Sequence, residues 1–311
     1  MVIDEKFRLV TRADFDGLVC AMMFRDLDVI GDIKLVHPKD VQDGVIELSS
    51  NDITANLPFD PRVQRAFDHH ASELIRLDDA PPNYVNIPGS PSAARVVFDY
   101  YGGKDAFPNV SDEMLTAVDK ADSAQFTMEE VLNPQGWVLL NFIMDARTGL
   151  GRFRNFNISN YNLMIELVEL CRDHSIEEIL EHPDVKERVD LYMEHKDLFQ
   201  AQLRRCAKVH KNLVVLDLRG EETIYVGNRF TIYALYPETN ISMHVIWGLK
   251  KQRVVFAVGK SIFDRGSKTN VGSLMLDFGG GGHEGAGTCQ VENDQARFVM
   301  AELIERINED G

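Results

Sequence analysis

The chain has 311 residues, which at roughly 100–200 residues per domain suits two domains better than one. Its 44% hydrophobic and 26% charged content allows a buried core and excludes a wholly disordered chain. A net charge of −16 excludes a protein that coats long duplex nucleic acid through a broad basic face.

In chain order, residues 7–13 read as a strand, 17–27 as a helix, 33–37, 45–49, 63–67 and 84–87 as strands, and 92–101 and 111–121 as helices. This alternation predicts an α/β fold with a mostly parallel sheet in the N-terminal domain. From about residue 159 the pattern is helical, with Ser175 and Glu178 spaced as a capping box. Residues 184–210 read as one long helix, acidic at its start and basic at its end, able to connect two domains. Beyond it, strands at 213–216, 241–247 and 254–258 and helices at 271–278 and 295–307 form a smaller C-terminal α/β domain. The expected division is 1–183, 184–210 and 211–311.

The acidity is uneven. Residues 1–150 carry 13 basic and 25 acidic side chains, whereas residues 211–311 carry 11 and 13. The first ten residues lack the pattern of a secretory signal, and no run of 18 apolar residues suggests a membrane span, so a cytoplasmic protein is expected. The four cysteines lie far apart with no CxxC, which suggests neither a zinc knuckle nor a disulfide framework.

Three acidic motifs occupy the first half. Arg12-Ala13-Asp14-Phe15-Asp16-Gly17 joins a strand to a helix, and residues two apart on extended chain present Asp14 and Asp16 together at the strand's carboxyl end. Alone, the motif equally suits a polar turn in which Asp16 caps the helix. Asp68-His69-His70 follows another apolar run, with a carboxylate beside the imidazoles to orient them. Asp52, Asp119 and Asp122 are less specific acids that gain meaning from this company. Carboxylates with few imidazoles and no thiolate favour Mn²⁺ or Mg²⁺ over structural zinc.

The second half carries Gly279-Gly280-Gly281-Gly282-His283, whose glycines can turn successive N–H groups into an anion-binding nest or form a flexible turn. Upstream, from Lys250 to Lys268, six basic residues accompany one acid, Asp264. Arg147, Arg152 and Arg154 make a further basic cluster that reads as a loop.

In their order, these motifs resemble the DHH phosphoesterase family with a C-terminal DHHA1 domain, of the exopolyphosphatase-like or short-oligonucleotide type. The resemblance implies a metal-dependent phosphohydrolase acting on a small phosphorylated substrate or a short single-stranded oligonucleotide. It implies Asp14, Asp16, Asp52, His69 and Asp122 as metal ligands, with Asp52 bridging two ions and Asp119 a second choice to Asp122. It implies Asp14, Asp16, Asp68 and His70 as catalytic residues. Substrate would meet His70, Arg265, Gly281, Gly282 and His283, with Asn270 a weaker candidate. The family also implies that two copies can pair as a homodimer. The chain departs from the pattern where a further ligand is expected two or four residues before Asp14: Arg12 and Val10 stand there. Neither can bind a metal, so one firm and one weak Mn²⁺ site are expected, with Arg12 pairing with substrate phosphate. The alternative is a phosphate- or nucleotide-binding protein that has lost efficient hydrolysis.

Overall fold

The computed structural model describes residues 6–71 and 81–311. The chain divides into two compact units, the first comprising residues 1–125, 135–146 and 151–189, the second residues 126–134, 147–150 and 190–311. The division falls inside a long helix, and two short segments from the first half of the chain join the second unit. Among the described residues, no helix is long and apolar enough to cross a membrane.

The first unit is built on five parallel strands in the order β2-β1-β3-β4-β5: β1 (Phe7–Arg12), β2 (Ile30–Val36), β3 (Asp52–Ala55), β4 (Arg65–Asp68) and β5 (Tyr84–Asn86). Leu9 and Val10, successive residues of β1, enter different apolar clusters, so both faces of the sheet are covered. Helix α1 (Phe15–Asp26) buries ten consecutive residues, Phe15 to Phe24. A helix apolar all round must be enclosed, and its neighbours are α3 (Ala93–Tyr100), α4 (Asp112–Asp122) and α7 (Asn160–Asp173). The intervening elements are α2 (Pro38–Gln42), α5 (Met128–Leu132), which falls in the second unit, and α6 (Gly136–Met144), followed after α7 by α8 (Ile176–Glu181). The Ser175–Glu178 capping box at the start of α8 is formed.

The order of strands sets the place of chemistry. The chain leaves β1 for β2 on one side and returns to β3 on the other, so the carboxyl ends of β1 and β3 flank a topological switch point, where open α/β sheets form ligand crevices.

Three sequence expectations change here. Residues 45–49 form no strand; the third strand is Asp52–Ala55. The long helix, α9, runs Pro183–Cys206 and stops short of residue 210, because residues 207–210 become strand β6 (Ala207–His210), folded back on β7 (Leu213–Asp217). Lys211, at φ 53°, makes the reversal. The glycine run also contributes a strand.

The second unit is a six-stranded mixed sheet in the order β10-β11-β9-β8-β7-β6, with β8 (Ile241–Trp247), β9 (Arg253–Lys260), β10 (Gly281–His283) and β11 (Ala286–Glu292). Only β7 and β8 are parallel. Helices α10 (Thr231–Leu235), α11 (Val271–Leu276) and α12 (Ala296–Asp310) complete it. Its core joins Leu213, Met243, Phe256, Val271, Leu303 and Ile307.

Candidate metal centre

The carboxyl ends of β1, β3 and β4 carry Asp14, Asn56 and His69. Asp14 is the N-cap of α1: its Oδ1 accepts from Gly17 N at 3.0 Å, as the orphan amides of a first turn require. The same oxygen accepts from Asn56 Nδ2 at 3.3 Å, and the other lies 2.8 Å from Arg12 Nε. Asp16 points inward and is 3% exposed. Its two oxygens accept from Ala93 N at 3.0 Å and Ala94 N at 2.7 Å, the first amides of α3. Burial, with Asp122 and Asp14 nearby, nevertheless pushes its carboxyl well above the usual range. Such a group gains from a cation.

His69 supplies part of that setting. Its Nδ1 lies 3.0 Å from the Ser90 carbonyl, a contact in which only the nitrogen can donate. Nε2 then faces Asp122 Oδ2 at 3.1 Å and has no well-formed hydrogen bond among the described residues. A proton or a cation must lie between these two acceptors. Burial works against charge on the ring, but Asp122 and Asp16 outweigh it and hold its pKa at about 9. Ligand atoms of Asp16, His69 and Asp122 all lie within 4.8 Å of one another. Two carboxylates and an imidazole whose second nitrogen is fixed by a carbonyl are the donor set of a divalent ion. Beside them, His70 Nδ1 lies 2.7 Å from Asp68 Oδ1, and Tyr84 Oη donates to the other Asp68 oxygen at 3.0 Å. The ring is thereby oriented while His70 stays 43% exposed.

Asp52 requires a correction. Expected as a bridging ligand, it opens β3 opposite Arg8, near the start of β1, and so lies at the amino end of the sheet. At ~3.3 Å per residue that is ~13 Å from Asn56 at the carboxyl end. Asp52 accepts from Arg8 Nε at 2.6 Å and from Ser49 N at 2.7 Å. Its burial opposes charge, yet these bonds hold its carboxyl below the usual range. Asn56, which sequence reasoning passed over, takes the position by Asp14. It is 2% exposed, and its Oδ1 is buried without a hydrogen-bond partner among the described residues. Asp119 is committed elsewhere, to Ser92 Oγ at 2.7 Å and Arg95 Nε at 3.0 Å, which leaves Asp122 as the acid beside His69.

The remaining expected residues belong to the second unit. Gly281, Gly282 and His283 form edge strand β10, paired with β11, instead of a nest. The glycines permit close packing: a Cβ on Gly280 would lie 2.2 Å from Thr288 O, and one on Gly282 2.3 Å from Ala286 O. His283 Nδ1 accepts from Gly285 N at 3.2 Å. Asn270 caps α11 by accepting from Ser273 N at 3.0 Å. Arg265 is exposed in the loop between β9 and α11.

No protein-family model matches the chain, and comparison with curated proteins gives no match. Among solved structures it is similar to PggH, a pGpG-specific phosphodiesterase from Vibrio cholerae, at 57% identity and a TM-score of 0.89, covering 98% of this chain and 100% of that one. An exopolyphosphatase-related protein from Bacteroides fragilis has 14% identity and a TM-score of 0.52 over 97% and 92% of the two chains. RecJ from Thermus thermophilus, solved with Mn²⁺, has 13% identity and a TM-score of 0.53 over 98% of this chain and 52% of that one. The last two likenesses show the fold. With the ordered Asp14-Phe15-Asp16-Gly17 and Asp68-His69-His70 motifs and a full-length relative at 57% identity, the chain belongs to the DHH phosphoesterase family.

Proposed function

We propose that this protein is a metal-dependent phosphodiesterase that hydrolyses the linear dinucleotide pGpG at its internal phosphodiester. The observation that carries the substrate is the 57% identity to a pGpG-specific phosphodiesterase over nearly the whole of both chains. The observation that carries the chemistry is the convergence of Asp16, His69 and Asp122.

The residues fit a divalent ion, because His69 presents Nε2 to the Asp122 carboxylate with its other nitrogen already committed. Asp16, His69 and Asp122 would hold the ion, Mn²⁺ or Mg²⁺ by donor chemistry. When bound, such an ion supplies Lewis acidity toward a phosphoryl oxygen and nucleophilic water at neutral pH. The chain's own part is orientation: the α3 amides fix Asp16, and the Ser90 carbonyl fixes His69. His70, whose Nδ1 donates to Asp68, is assigned to the substrate's phosphate, to which Nε2 would donate in the imidazolium form, and its exposure leaves it reachable. In the second unit, Arg265, Gly281, Gly282 and His283 are assigned to the substrate's terminal phosphate, as a DHHA1 domain would use them.

The test is a substrate panel at fixed Mn²⁺ with pGpG, cyclic di-GMP, a longer oligonucleotide and polyphosphate, reading GMP or phosphate release. Selective turnover of pGpG, abolished in Asp122→Ala, is the expected result. Preference for polyphosphate would move the assignment to an exopolyphosphatase. Tight pGpG binding without turnover at any divalent ion would make the chain a binding protein.

A further inference from the structure

We propose that this protein works with one divalent ion, and that the Arg12 guanidinium supplies the second positive charge to the scissile phosphate. The inference rests on the metal-dependent phosphodiesterase reading above and deepens it. Its ground is a contrast between two neighbouring carboxylates.

Asp16 converges with His69 and Asp122 on one point. Asp14, two residues earlier, is already engaged by three donors: Gly17 N, Asn56 Nδ2 and Arg12 Nε. A second ion at Asp14 would have to replace Arg12, which cannot be deprotonated, and would then stand beside that displaced cation. Among the described residues, the adjoining strand ends offer one further acid, Asp68 at the end of β4, and its two oxygens are taken by His70 Nδ1 and Tyr84 Oη. Val10 is fully buried and has no donor atom. Asn56 stands at the end of β3 with a neutral amide, unable to balance two dications, and the acid that might have done so, Asp52, is bonded to Arg8 at the other end of the sheet.

What displaces the second ion also resembles it in charge. Arg12 ends β1 at the crevice and remains 33% exposed, so substrate can reach it. Its ion pair with Asp14 runs through Nε, leaving the terminal nitrogens of the fork for two parallel bonds to phosphate oxygens. Asp14 thus positions a charged donor that needs no rearrangement when negative charge builds on the phosphate.

The test begins with calorimetric titration of Mn²⁺ into the metal-stripped full chain without substrate. One ion per chain is expected, and none in His69→Ala. Two tight ions per chain in the unaltered protein would overturn the proposal, and that measurement needs no variant to fold. Hydrolysis of bis(p-nitrophenyl) phosphate then reads Arg12 apart from any guanine preference. Arg12→Gln should keep one ion and lose about a hundredfold in kcat/KM, while Arg12→Lys, which keeps the charge without the fork, should recover part of that loss. Unchanged turnover in Arg12→Gln, or equal losses in both variants, would overturn the role of the guanidinium. Failure of pGpG as a substrate would show in the panel above and leave the ion count unaffected.

Discussion

Replacing Gly17 by alanine tests the local geometry on which the site depends. Gly17 lies in the first turn of α1, where alanine would ordinarily stabilise a helix by roughly 0.5–1 kcal/mol. Here the sign reverses. A Cβ at this position would lie 2.0 Å from the Arg12 carbonyl oxygen and 2.8 Å from Thr11 Oγ1, so one partner must move by about 1.5 Å to reach an ordinary contact. Neither side yields easily. Arg12 pairs with Val36 of β2, and Thr11 Oγ1 is buried and donates to the Ala55 carbonyl at 2.9 Å. On the other side, α1 is enclosed along ten residues and capped by Asp14. Overpacking of this kind costs about 1–3 kcal/mol, and a weakened N-cap adds about 1 kcal/mol. The expected loss is roughly 2–4 kcal/mol, or ~5–15 °C in Tm at about 2–4 °C per kcal/mol for chains of this order. Because the clash falls on the Arg12 carbonyl and the residue that clashes donates to Asp14, the same shift should lower phosphodiesterase kcat/KM about a hundredfold, as misplacements near 1 Å can. Thermal unfolding and steady-state kinetics of Gly17→Ala read both. Gly220→Ala is the control, since its added Cβ would have nothing within 4 Å. If Gly17→Ala matched that control in Tm and turned over normally, the close approach would not be a constraint and the reasoning would fail.

Asp52→Asn should leave the Mn²⁺ stoichiometry unchanged while costing about 1–3 kcal/mol, because Arg8 keeps a poorer partner; loss of metal binding in calorimetry would restore Asp52 to the site. Since the Asp52 carboxyl sits below its usual range in the fold, its contribution is present above the unfolded pKa of about 3.9 and is lost as pH falls through the folded value, so urea unfolding of Asp52→Asn should lose less stability on acidification than the unaltered chain. Burial lowers the His244 pKa to about 4; the unfolded chain therefore binds the extra proton between about 6.5 and 4, and stability constant above about 6.5 should decline by about 3 kcal/mol over that window, a decline that His244→Gln should remove. Gly282→Ala, with its Cβ 2.3 Å from Ala286 O, should lower the unfolding midpoint of the second unit, whereas Gly281→Ala, with nothing within 4 Å, should leave it in place; equal effects would separate the midpoint from close packing of β10.

The elements that were legible in the sequence are those whose burial wrote a long pattern. Helix α1 is apolar from Leu18 to Phe24, and β8 reads over its full length, 241–247. The elements that were not legible are short or carry their structural reason elsewhere in the chain. Strand β6 continues from a helix with no break in composition, and its identity comes from pairing with β7 across the reversal at Lys211. The glycine run promises backbone freedom, but freedom alone does not distinguish a nest from an edge strand. That choice is made by β11 and by α11, whose Val271 N bonds the Glu284 carbonyl and whose Gly272 would bring a Cβ within 3.0 Å of Gly282.

The displaced third strand matters most, because it decides which acids belong to the site. With a strand assigned to residues 45–49, Asp52 falls at its carboxyl end and looks like a ligand. The actual strand, Asp52–Ala55, is four residues long, wholly buried and only mildly apolar, so its signal is weaker than that of the run before it. Moving the strand by this amount carries Asp52 from one end of the sheet to the other and puts Asn56 in the crevice. The surplus of acid in the first half of the chain then divides differently. Asp52, Asp60 and Asp119 are held by Arg8, Arg62 and Arg95 and serve the fold. Asp14 is held by Arg12 and Asp68 by His70 and Tyr84, while Asp16 and Asp122 meet at His69. A site with two converging carboxylates, one imidazole and a neighbouring arginine can neutralise one divalent ion and present one fixed cation besides. This charge balance follows from the register of a four-residue strand.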